Sequence, residues 1–88
     1  MKIPNKLKIG GHIIKIVEKE GFNANSDCGE FLIEKNTITI RKDMPQDQKE
    51  ATLIHEIFHV CNSTLDHTLL DSLAEQFYQV LKDNGLLK

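Results

Sequence analysis

Long apolar runs are missing from this 88-residue chain. Ile13-Ile14 and Leu53-Ile54 are broken at once by a charge or a histidine, whereas a bilayer crossing needs about 20 apolar residues. A membrane-spanning segment is therefore not expected. Cysteine occurs only twice, proline twice and tryptophan not at all. Two cysteines outside a Cys-x-x-Cys arrangement cannot frame a disulfide-rich fold, so Cys28 and Cys61 read as buried free thiols of a reducing compartment. An excess of one charge is also lacking, with 11 Lys plus Arg against 13 Asp plus Glu and a net charge of −2. The basic residues are scattered along the chain, which argues against nucleic acid as partner. No apolar stretch follows Met1-Lys2-Ile3-Pro4, so no secretory signal is visible and a cytoplasmic location is expected.

What is present is an ordinary folding composition, 40% hydrophobic and 27% charged. One domain over residues 1–88 is expected, with a core small enough that a bound metal or partner could add usefully to its stability. The hydrophobic period changes near Met44-Pro45, from strand-like to helical, which predicts an α+β fold. Leu7 to Ile9 and His12 to Val17 flank Gly10-Gly11 as a hairpin. Turn-rich residues from Glu20 to Gly29 form a connector. Phe31 to Glu34 and the alternating Thr37-Ile38-Thr39-Ile40-Arg41 form a second hairpin, giving about four antiparallel strands.

Asp43 and Gln46 fit a capping box, and Pro45 suits a first turn, so a helix is expected to begin near Met44 to Gln46. Ile54, Ile57, Phe58 and Cys61 form its apolar stripe, and Asn62-Ser63-Thr64 ends it. Leu69, Leu70, Leu73, Ala74, Phe77, Val80 and Leu81 repeat at helical spacing in a second helix, with Asn84-Gly85 as its stop. The expected architecture is a small antiparallel sheet followed by an antiparallel helix pair.

The most specific chemical signal is His55-Glu56-Ile57-Phe58-His59, an H-E-x-x-H sequence within the expected first helix. Residues four apart share a helical face about 6 Å apart along the axis, so both imidazoles can turn onto one Zn²⁺. Glu56 lies one residue round from that face, placed to take a proton from a metal-bound water. A catalytic zinc usually takes three protein ligands. With a helical hairpin turning near Ser63, His59 meets His67 and His55 meets Asp71, while Glu75 faces Ala51 about 5 Å beyond the metal level. His67 is then the third ligand and Asp71 the hydrogen-bond partner that fixes the tautomer of His55. One residue of error in the turn would instead make Asp71 or Glu75 the ligand. The plainer alternative for the histidines is a solvated pair on an amphipathic helix. His12 and Tyr78 could steady an oxyanion, but each suits half-buried packing better.

Together with the lead-in Ala51-Thr52-Leu53-Ile54, the opening Met1-Lys2-Ile3-Pro4 and the ending Phe77 to Asn84, this motif resembles small phage- and prophage-encoded zinc metallopeptidase-like proteins. The chain is similar to minimal gluzincins and to ImmA/IrrE-like metallopeptidases. The resemblance implies a zincin-like domain with His55 and His59 as ligands and Glu56 as catalytic base. Gluzincins usually draw a Glu from the next helix, often followed four residues later by Asp or Asn. Here His67 and Asp71 occupy what looks like that pair, so His replaces Glu.

The expected activity is zinc-dependent hydrolysis of a peptide bond in a peptide or protein substrate. By analogy with zincin-like proteins, Thr37 to Arg41 is expected as an edge strand that could hold an extended peptide. The alternative is a non-enzymatic, zinc-stabilised module that binds a phage or host protein, which the small size keeps open.

Overall fold

The computed structural model describes residues 2–20, 29–62, 64 and 66–86. Strands β1 (Lys6–Ile9) and β2 (His12–Lys19) are followed by β3 (Gly29–Leu32) and β4 (Thr37–Arg41), then by helices α1 (Gln46–Cys61) and α2 (His67–Asp83). The chain is α+β, as its change of period implies. The connector residues 21–28, Cys28 among them, lie outside the described residues, as does Ser63.

Gly10-Gly11 closes the first hairpin, Ile9 pairing with His12, and Gly10 takes the left-handed φ of 61° that the tight reversal needs. Between β3 and β4 the chain makes a short 3-10 turn, Ile33–Lys35, and reverses through Asn36 at φ 47°. Asparagine tolerates this region better than most side chains.

The four strands lie in the order β1-β2-β4-β3. The outer pairs are antiparallel, but β2 and β4 are parallel, with Ile16 opposite Ile38. The sheet is therefore mixed, which corrects the all-antiparallel expectation. Two hairpins in a row suggest a meander only if β2 sits beside β3. Here β4 takes the interior place, because Ile38 and Ile40 are fully buried and Thr39 nearly so, and the short β3 is left at the rim. Thr37–Arg41 is accordingly not an edge strand, and β3 is.

Ile14, Ile16, Ile38, Ile40 and Leu53 form the core, ringed by partly buried Leu7, Ile9, Phe31 and Ile57. Each such aliphatic side chain contributes roughly 1.5–3 kcal/mol by leaving water. Helix α1 covers this face of the sheet, and α2 packs chiefly on α1. The inward residues of α1 are Glu50, Leu53, Ile54 and Glu56, with Thr52 beside them, and Cys61 is exposed. The expected stripe through Cys61 is thus rotated. Leu53, at 2% exposure, sets the phase, and a thiol in the last turn lies beyond the sheet.

The capping box does not form. Pro45 is the N-cap of α1 without a side-chain bond, because Asp43 instead pairs with Arg41 at 3.2 Å. Helix α2 is capped by Asp66, whose carboxylate accepts from the Leu69 amide at 3.1 Å. Its far end closes at Gly85, φ 70°, where the Leu86 amide donates to the Leu81 carbonyl at 2.8 Å and the Gly85 amide to Lys82.

Candidate metal centre

His55 and His59 lie one turn apart on α1, and His67 opens α2 directly after the connection. A short link between two helices forces their adjoining ends together, so the last turn of α1 meets the first turn of α2. The ring centroids are 4.9 Å apart for His55 and His59, 5.1 Å for His59 and His67, and 5.5 Å for His55 and His67. One ring nitrogen from each of the three lies within 4.8 Å of the others.

The nitrogens are arranged for a shared ion. His55 Nε2 and His59 Nε2 are 3.1 Å apart. Two imidazoles bound to one tetrahedral zinc at about 2.05 Å hold their nitrogens about 3.3 Å apart, so little movement separates this cluster from ligation. Asp71 stands behind two of the rings, its Oδ1 3.3 Å from His55 Nδ1 and 3.4 Å from His67 Nδ1. Hydrogens on those Nδ1 atoms leave the Nε2 lone pairs free, the arrangement by which a carboxylate orients metal-binding histidines.

Electrostatics also favour a neutral His59 ring. Burial lowers the pKa of His59 below the ordinary histidine value, and the neighbouring His55 and His67 lower it further, against an opposing pull from Asp71. Three imidazoles suit zinc and other borderline divalent metals better than calcium or magnesium. Three protein ligands would leave a fourth coordination position, and the His67 side chain is 69% exposed.

The structure brings together His55, His59, His67 and Asp71. It leaves Glu75 out of the cluster, on a shallow groove along α2 that also includes Asp71, Tyr78 and Lys82. Glu56 is buried at 5% exposure and turns toward the sheet. Its Cγ lies 3.7 Å from where a Cβ on Gly29 would stand. Glu56 therefore sits between α1 and the edge strand β3. His12 is exposed beside the first hairpin turn and takes no part in the cluster.

Two positions carry more weight than their sequence context suggests. A Cβ at Gly29 would stand 2.8 Å from Thr52 Cγ2 and 2.9 Å from the Thr39 carbonyl, so only glycine allows β3 to approach α1 this closely. A glycine opening a strand is the available sign of such an approach. Tyr78 donates to the buried Glu50 at 2.8 Å, and Gln46 donates to the same carboxylate at 3.2 Å. That contact spans 28 residues, beyond any local pattern.

No family model matches the chain, and neither the curated proteins nor the solved structures contain a match to it.

Proposed function

We propose that the chain is a zinc-dependent hydrolase of peptide bonds, with His55, His59 and His67 as ligands and Glu56 as general base. The observation that supports this reading best is the convergence of three imidazoles with one carboxylate, Asp71, behind two of them. Zinc held there supplies a Lewis acid and a water of lowered pKa. Asp71 holds the tautomers of His55 and His67 so that both present Nε2. Glu56, buried between α1 and β3 in this structure, would have to swing its carboxylate toward the metal to accept a proton from the bound water and return it to the leaving amine. The reading extends to a peptide or protein substrate in a bacterial cytoplasm and to a phage or prophage setting.

The test is the Glu56→Gln variant, compared with wild type for zinc content and for cleavage of an unstructured protein such as casein. This reading expects retained zinc and loss of turnover by at least about a hundredfold, the scale of a general base. Cleavage at the wild-type rate would remove Glu56 from the mechanism, and no cleavage by wild type would favour the second reading.

That second reading is a zinc-stabilised protein-binding module. It is favoured by the α2 side chains Leu69, Leu73, Phe77 and Val80, each about half exposed at helical spacing along α2. Their exposure should be lost when a protein partner is added, whether or not any bond is cleaved.

A further inference from the structure

Basic residues scattered along the sequence are gathered on one surface by the strand register. On β2, Ile14 and Ile16 point into the core and Glu18 pairs with Lys49 of α1 at 2.7 Å. Strand alternation then puts Ile13, Lys15, Val17 and Lys19 on the opposite face. Lys6 lies across from Lys15, and Lys8 from Ile13, so β1 adds two more lysines to it. Among the described residues no helix covers this side, because α1 packs on the core face and α2 on α1.

The four lysines have no acidic partner among the described residues, and Arg41, across from Lys19, is tied to Asp43. Ile13 among them is 59% exposed and Val17 40%. Like charges directly opposite each other, as at Lys6 and Lys15, destabilise a strand pair. Lysine on an edge strand can be explained as protection against aggregation. That accounts for Lys6 and Lys8, and for Lys19, where β2 runs on past β1, but not for Lys15, which is flanked by β1 and β4. The acidic Asp66, Asp71, Glu75 and Asp83 lie at or along α2, beyond α1, and by register Glu30 of β3, opposite Thr39, is the one acidic strand position on this face, so the four lysines leave it cationic in a chain of net charge −2.

We propose that this outer sheet face docks on an anionic lipid surface, with Lys6, Lys8, Lys15 and Lys19 meeting the headgroups and Ile13 and Val17 seated among them. Lysine heads on flexible stems with apolar side chains between them match a surface whose charge overlies hydrocarbon. Single-stranded nucleic acid is disfavoured, because none of these described positions offers an aromatic ring on which a base could stack.

The test is co-sedimentation of the intact protein with vesicles of phosphatidylglycerol and phosphatidylcholine, or of phosphatidylcholine alone. Binding is expected only to the anionic vesicles, and it should weaken as salt rises. The Lys6→Glu/Lys15→Glu variant should lose at least on the order of thirtyfold in partitioning, at about fivefold per cation removed and with two anions added. Lys8→Glu/Lys19→Glu repeats the test at other positions, and Lys82→Glu on α2 should bind as wild type does. Equal binding to both vesicle types, no binding, or unchanged binding by both double variants would overturn the proposal. So would displacement from anionic vesicles by a single-stranded oligonucleotide at matched phosphate concentration.

Discussion

The Tyr78 hydroxyl donates to Glu50 across 2.8 Å, joining the last part of α2 to the first part of α1. The histidines lie at the other end of the same helix pair. With Tyr78 and Glu50 fastened at one end and the short connection at the other, α2 is held along its length in the register that sets His67 against His55 and His59.

Tyr78→Phe removes the donor and leaves a buried carboxylate with one fewer partner. A loss of about 1–2 kcal/mol is expected, because a buried acceptor forfeits its hydrogen bond without regaining water. Urea denaturation of the metal-free protein checks this, with a lower midpoint and an unchanged slope as the expected result.

Gly29→Ala should destabilise the fold by roughly 1–3 kcal/mol, since the new methyl must displace Thr52 or the Thr39 carbonyl. Gly11→Ala is the comparison, because a Cβ there meets nothing within 4 Å and its φ is not left-handed. Thermal unfolding of the two variants should separate them clearly, with Gly11→Ala close to wild type.

Asp71→Asn keeps the shape of the side chain but removes the charge behind His55 and His67. Zinc affinity should fall about 10- to 100-fold, the usual cost of losing such an orienting carboxylate. Glu75→Gln, one turn further along α2 and outside the cluster, should change it little. Competition with a chromophoric chelator measures both.

Stability of the metal-free protein should depend on pH through His59, whose folded pKa is lowered mainly by burial. The folded state binds a proton less readily than the unfolded chain. Its contribution is therefore complete above the ordinary histidine value of about 6.5 and is lost as pH falls from there through the lower folded value. His59→Gln should flatten that part of a melting-temperature profile.

Local signals in the sequence carried over where local physics decides the structure. Gly10 turns the first hairpin, Pro45 precedes the first helical residue Gln46, and Gly85 stops α2. The spacing of His55, His59, His67 and Asp71 about a short helical connection also anticipated which side chains the structure places together. Strand pairing was not legible, because placing β4 between β2 and β3 depends on which strand best fills an interior position. The phase of α1 was obscured by polar Glu50, Thr52 and Glu56, which are buried where a hydrophobic pattern would call them outward. Asp43 fits a capping box locally but is engaged by Arg41, a competition that a motif does not show.

The central claim is that His55, His59 and His67 together hold one metal ion. Native mass spectrometry of wild type and His67→Ala, each purified after growth with zinc, tests it most directly. The account predicts one zinc per wild-type chain and its loss from most of the variant. Full zinc in both proteins would move the third ligand elsewhere, and no zinc in wild type would contradict the metal centre itself.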